Sequence, residues 1–148
     1  MIVSPILIMG VCAWAAAQVL KFFISIVAFR KVDIKYLYTG GGMPSSHSAL
    51  VCACSTGTAF AAGLDSPLFA IVVLFFFIVM YDAANVRRET GKQSKILNYI
   101  MKDWANVPPE VMDKELKELL GHTPLQVLVG AALGVAVGLI GGFLAYGF

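Results

Sequence analysis

Charged side chains are scarce in this chain of 148 residues, in which 14% of residues are charged and 59% are hydrophobic. A soluble domain usually carries about a quarter charged residues, so this chain lacks the polar surface needed to face water on all sides. Its apolar runs reach the roughly 20 residues needed to cross a bilayer. The composition excludes an ordinary soluble protein and predicts an all-α, integral membrane helical bundle, formed as a single domain over residues 1–148.

Cysteine and histidine are also rare, with three cysteines and two histidines. The cysteines lie inside apolar segments without ligand spacing, and we expect them to be small packing residues. Two lone histidines without clustered carboxylates or thiolates make a poor metal ligand set. We therefore expect no metal and no other cofactor, and the chain gives no indication of a nucleic-acid partner. The cysteines are Cys12, Cys52 and Cys54.

The chain lacks a positively charged stretch ahead of its first apolar run, which is too long for a signal peptide, so we expect a membrane helix there. The second apolar segment is interrupted by serine and threonine and is predicted to pack inside the bundle. Glycine and proline between the second and third segments predict a tight hairpin. The polar region 88–120, with a charged helix near 110–120, is expected to lie partly on the membrane surface or to form a solvated linker. The four apolar segments are 2–29, 47–64, 66–86 and 122–147.

Lysine and arginine are concentrated in two loops, and the loop between the second and third segments has none. By the positive-inside rule, the two basic loops are cytoplasmic and both termini face outward. The glycine-rich loop before the second segment and the histidine before the last segment then share the cytoplasmic side. This pattern predicts a multi-pass protein of the cell membrane (an inner membrane or a plasma membrane). The basic residues are Arg30, Lys31 and Lys35 in one loop, and Arg87, Arg88, Lys92, Lys95 and Lys102 in the other.

Four glycines in the last segment recur every four residues and form one face of a helix. Such a face allows close approach of another helix in the membrane. Packing within the chain is the favoured interpretation, and a homodimer through this face is the alternative. The glycines are Gly130, Gly134, Gly138 and Gly142.

A glycine-rich turn at residues 40–48 runs directly into the second apolar segment. Its glycines let the backbone bring N–H groups close to a ligand, and a helix N-terminus favours an anion such as phosphate. Its serines can cap the helix or donate to a phosphate oxygen, and His47 can protonate a leaving alkoxide. The alternative is a flexible turn with an ordinary helix cap. The candidate phosphate-binding residues here are Gly41, Gly42, Ser45 and Ser46.

His122 begins the last segment, and Gln126 follows on the same helix face. A hydrogen bond from Gln126 would leave the second imidazole nitrogen free as a nucleophile toward phosphorus. Arg87 and Arg88 are predicted to clamp a phosphate. The alternatives are an interfacial cap for His122 and positive-inside anchors for one or both arginines.

Lys21 lies inside the first apolar segment, where a charge is costly unless it reaches water or a partner. We expect it to approach the cytoplasmic interface and complete the phosphate pocket. Asp82 is its natural counter-charge, or that of an arginine. A purely structural ion pair explains Asp82 equally well.

These motifs together resemble the type-2 phosphatidic acid phosphatase and vanadium haloperoxidase superfamily, in its short divergent bacterial branch. Residues 44–47, Pro-Ser-Ser-His, are similar to the family's Pro-Ser-Gly-His motif. Gly121-His122, with Gln126 and the glycine-spaced helix, is similar to its third motif. The stretch 81–88, followed by Gly91 and Gln93, looks like the signature of the divergent branch.

The resemblance implies a metal-independent phosphatase on a helical bundle. By that analogy His122 forms a phosphohistidine and His47 protonates the leaving group. Ser45, backbone N–H groups of the glycine loop, a lysine and an arginine would bind the phosphate.

Several positions depart from the family pattern. Ser46 replaces a glycine, and Gln126 replaces an aspartate. Ala28 stands where the first motif, Lys-x6-Arg-Pro, has its arginine, and no arginine immediately precedes His122. A neutral residue in place of the orienting carboxylate of a catalytic histidine can cost about 10⁴ in rate in serine proteases.

The sequence thus predicts a lipid-phosphate phosphatase acting on a lipid phosphomonoester or pyrophosphate. A cytoplasmic site favours the phosphatidylglycerophosphate or phosphatidate class. One alternative is a catalytically silent relative that binds phosphate or lipid, which the altered motifs suggest. Another is a transporter or channel subunit, although the chain shows no internal repeat.

Overall fold

A computed structural model describes residues 3–29, 42–103 and 121–147, which are helical apart from short caps and turns. The prediction of an all-α membrane bundle is confirmed. Within these residues three helical stretches are long and apolar enough to cross a membrane: Pro5–Val27, Pro67–Met101 and Pro124–Tyr146. The elements are α1 (Pro5–Phe29), α2 (Ser46–Ala62), α3 (Pro67–Tyr81), a π-helical turn (Asp82–Val86), α4 (Arg87–Asp103) and α5 (Pro124–Tyr146).

Helix α2 lies at the centre and contacts α1, α3 and α5. The hydroxyl groups of Ser55, Thr56 and Thr58 do not need water, because they donate to carbonyls one turn earlier in the same helix. Thr58 Oγ1, for example, donates to the Cys54 carbonyl at 2.8 Å. The prediction that the second segment packs inside the bundle is confirmed. Helix α3, by contrast, has no buried residue, and its large apolar side chains face outward.

The glycine face of α5 packs against α2 of the same chain. A Cβ at Gly134 would collide with the Ala49 carbonyl oxygen, and one at Gly138 would lie 2.6 Å from Thr56 Cβ. The glycine face therefore packs within the chain, which was the favoured interpretation. A homodimer stays a prediction.

The hairpin between α2 and α3 forms as predicted. Gly63 ends α2 with φ +84°, and the Ser66 side chain caps α3 by accepting from the Phe69 N–H at 3.1 Å. The third segment does not end at residue 86, because the helix continues through the π turn into α4. The charged helix predicted near 110–120 lies outside the described residues.

Candidate active site

The loop that precedes α2 is fixed to the first turn of α5. Gly42 has φ +93°, a conformation that favours glycine, and the Met43–Pro44 peptide is cis. The Ser45 N–H donates to the Gln126 carbonyl at 3.0 Å. Gly130 permits this approach, because a Cβ there would collide with the Ser45 backbone.

Ser45 is the N-cap of α2, as the sequence predicted. Its hydroxyl oxygen accepts from the Ser48 N–H at 3.4 Å and from the Ser48 hydroxyl at 3.0 Å. Both side chains are completely buried, and Ser46 is nearly so. His47 follows in the first turn and is exposed. Gly41 lies outside the described residues.

Lys21 is buried, with 2% of its surface exposed, although it belongs to the membrane-spanning part of α1. Its carbon chain lies beneath the glycine turn, where a Cβ at Gly42 would be 3.2 Å from Lys21 Cγ. Its charge acts on the imidazoles of both His47 and His122. Lys21 therefore faces the two histidines rather than lipid.

The two histidines meet at this loop. The centroids of the His47 and His122 rings are 6.4 Å apart, with the ring planes at 60°. His122 is 2% exposed, and neither of its ring nitrogens makes a hydrogen bond of normal geometry with a described residue. A buried imidazole with two open nitrogens is unusual, because unsatisfied buried polar groups are costly.

Burial and, to a smaller extent, the charge of Lys21 lower the pKa of His122 to about 4. The Gln126 side chain and the Gly42 backbone oppose this shift, which places both groups beside the ring. His122 is therefore neutral near pH 7, and an imidazole must be neutral to act as a nucleophile.

Gln126 makes a bond that the sequence analysis did not predict. Its Oε1 accepts from the Thr123 N–H at 3.0 Å, while Thr123 Oγ1 accepts from the Gln126 N–H at 3.3 Å. This reciprocal capping box begins α5. Gln126 thus lies next to His122 and fixes the helix end that follows it.

Arg87 and Asp82 form an ion pair, with Arg87 Nε 2.6 Å from Asp82 Oδ2. Both side chains are partly exposed, and both charges act on His47. An arginine partner for Asp82 was one of the alternatives in the sequence. Arg88 is exposed, and its backbone lies against Gly121.

One group at the site was not foreseen. The backbone N–H of His122 donates to the carbonyl oxygen of Ala83, which lies in the π turn, at 3.0 Å. A backbone carbonyl belongs to every residue type, so no side-chain pattern could indicate it. Among the described residues, no three His, Cys, Asp or Glu side chains cluster to bind a metal.

The profile of the family described as "Divergent PAP2 family" matches residues 2–137. This chain belongs to the divergent PAP2 family. It is also similar to the "uncharacterized membrane protein YuiD" of Bacillus subtilis (strain 168), with 41% identity over 152 residues that cover 96% of this chain and 94% of the relative. No solved structure matches the chain. Membership of the divergent PAP2 family and the three apolar spans make this a multi-pass membrane protein with a phosphatase-related ancestry.

Proposed function

We propose that this protein is a membrane-embedded lipid-phosphate phosphatase that works through a phosphohistidine on His122. One observation carries the proposal: a buried histidine, whose ring nitrogens make no hydrogen bond of normal geometry with a described residue, lies 6.4 Å, between ring centroids, from a second and exposed histidine. The charge of Lys21 acts on both rings. A phosphoryl group between the rings would have a nucleophile on one side and a proton donor on the other.

In the first step, a nitrogen of neutral His122 forms a bond to phosphorus, and the bond from phosphorus to the lipid oxygen breaks. The leaving oxygen takes its proton from His47. In the second step, His47 accepts a proton from water as that water attacks phosphorus, the P–N bond breaks, and inorganic phosphate leaves. This division of labour follows general acid–base and covalent catalysis.

Positive charge at the site suits the phosphate. Lys21 is held against Gly42 within the site, and Arg87 lies at its partly exposed edge. Arginine and lysine stabilise charge that develops on transferring phosphoryl oxygens. Backbone N–H groups of the glycine turn add further donors.

The depth of the site favours a phosphate that is carried by a lipid. Lys21 lies eight residues before Phe29, the end of α1, a rise of about 12 Å. Phe23 and Val27, on this final stretch, are 59% and 81% exposed. Since such apolar surface belongs in the bilayer, the site lies below the level at which α1 leaves it. A lipid headgroup reaches that depth more readily than a soluble phosphoester does. The predicted cytoplasmic side favours phosphatidylglycerophosphate or phosphatidate.

Phosphate release by the purified protein in lipid nanodiscs tests the proposal. The panel is phosphatidate, phosphatidylglycerophosphate, a polyprenyl pyrophosphate and the soluble glycerol 3-phosphate, all in excess EDTA. We expect release from at least one lipid and little from the soluble ester. His122→Ala should reduce turnover by roughly a thousandfold or more, as loss of a covalent nucleophile does.

Asp65→Ala is the matched control, because Asp65 is an exposed residue of the α2–α3 hairpin, at the opposite end of α2 from the site. It should keep the native turnover. Equal turnover in native protein and His122→Ala would overturn the phosphohistidine. Tight binding of orthovanadate without turnover of any ester would instead show a silent phosphate-binding relative.

A further inference from the structure

A π turn interrupts the helix that otherwise runs from α3 into α4. In an unbroken α-helix the Arg87 N–H would donate to the Ala83 carbonyl, four residues earlier. Here it donates to the Asp82 carbonyl, five residues earlier. The Ala83 carbonyl therefore does not accept the helical hydrogen bond from Arg87. It accepts instead from the backbone N–H of His122 at 3.0 Å. Ala83 is 2% exposed, so no water competes for this bond.

Gly121 provides a second contact between the same two segments. Its φ is +97°, and a Cβ there would lie 2.7 Å from the Arg87 carbonyl carbon and collide with the Arg88 nitrogen. The residue before His122 therefore rests directly on the backbone that leaves the turn. Only glycine fits, for both the conformation and the space.

The turn also sets the position of Arg87. Asp82 opens the turn and Arg87 follows it, and their side chains bond through Arg87 Nε at 2.6 Å. The terminal Nη groups of Arg87 take no part in this bond. A guanidinium held by its Nε edge keeps these donors available for an anion.

We propose that the π turn Asp82–Val86 is a positioning element that joins the site's buried histidine to its anion-binding arginine. The Ala83 carbonyl fixes the main chain of His122, and Asp82 fixes the side chain of Arg87. The main chain of His122 and the side chain of Arg87 are thus held in a fixed position relative to each other. Naming His122 a nucleophile rests on the proposed function, whereas the coupling of its position to the turn does not. π turns inside α-helices are frequently found at functional sites.

Chemical labelling of the two histidines tests the coupling without any substrate. Diethyl pyrocarbonate acylates neutral imidazole, and mass spectrometry separates the peptides of buried His122 and exposed His47. In Gly121→Ala we expect the ratio of His122 to His47 labelling to rise by about tenfold, because local protection is lost. With an active substrate, kcat should fall by roughly a hundredfold, as for an ångström-scale misplacement, with a smaller change in KM.

Gly63→Ala is the matched control for backbone strain. Its φ of +84° is similar, but the added Cβ meets only the Asp65 side chain, at 2.8 Å, in the α2–α3 hairpin. It should leave the labelling ratio unchanged. A deletion of exposed Asn85, which would restore the α-helical ladder, gives a second variant in case Gly121→Ala does not fold, and it should raise the ratio in the same way.

An unchanged labelling ratio in both folded variants would overturn the positioning role. Failure of the proposed function is a separate result: native protein would release no phosphate, or His122→Ala would remain active, while the labelling ratio still responded to Gly121→Ala. A loss of kcat in Gly63→Ala equal to that in Gly121→Ala would also contradict the proposal, because it would trace the effect to general strain.

Discussion

At the scale of the single residue, burial determines the protonation state of His122, and the pKa of its ring can be measured. Its pKa is lowered to about 4 by burial and by Lys21, against an ordinary value near 6.5. We expect the ring to stay neutral from pH 8 down to about pH 5. NMR of protein labelled with ¹³C-histidine should show one ring that titrates near pH 4, assigned by its persistence in His47→Gln.

The same shift predicts how stability depends on pH. Between pH 6.5 and 4 His122 binds a proton in the unfolded chain but not in the folded protein. The contribution of neutral His122 to the free energy of unfolding is therefore complete above pH 6.5 and is lost as pH falls through 4. His122→Gln should therefore show a smaller loss of thermal stability over this range than native protein does. A His122 titration near 6.5 would contradict the prediction.

Residues whose chemistry lies in the side chain were recognisable in the sequence. His47 and His122 are the only histidines, and Lys21 is a charge within an apolar run, so each is conspicuous. Gln126 was placed correctly beside His122, but its bond to the Thr123 N–H was missed. One amide can serve either a ring or a helix end, and sequence spacing alone does not distinguish the two.

At the scale of helices, the contact between α2 and α5 holds the two halves of the site together, since α2 begins beside His47 and α5 begins beside His122. Gly134→Ala places a Cβ against the Ala49 backbone, which cannot move aside. We expect a net loss of roughly 1–3 kcal/mol from overpacking. Thermal unfolding in detergent, followed by size-exclusion chromatography, measures it.

Gly141→Ala is the matched substitution on the same helix. There the added Cβ lies 2.5 Å from Cγ of Met9, a buried but unbranched side chain that adapts at lower cost than the Ala49 backbone. The higher helix propensity of alanine, worth up to about 1 kcal/mol, then offsets the contact. Equal destabilisation by both substitutions would show that the close approach of α5 to α2 is not what Gly134 provides.

Helix boundaries were foreseeable where the apolar pattern and capping residues coincide. The ends of α2 and the start of α3 follow from Ser45, Gly63 and Ser66. The continuation into α4 did not follow, because polar residues such as those of 87–95 end an apolar run without ending a helix. The glycine spacing predicted a packing face, but spacing names no partner, and only the fold identifies α2.

At the scale of the whole molecule, the site and the α2–α3 hairpin lie at opposite ends of α2. The positive-inside rule predicts that the site end faces the cytoplasm and that the hairpin lies outside. Two exposed positions report on these ends: Gln93 in α4 and Asp65 in the hairpin. In protein whose native cysteines are replaced, a membrane-impermeant maleimide should label Asp65→Cys in intact cells and Gln93→Cys only in inside-out vesicles. This predicted orientation would make a lipid phosphate of the cytoplasmic leaflet the expected substrate of the proposed phosphatase, because its headgroup would enter the site without crossing the bilayer. The reverse labelling pattern would place the site on the outer face, and lipid pyrophosphates of that leaflet would then replace phosphatidate and phosphatidylglycerophosphate as the expected substrates.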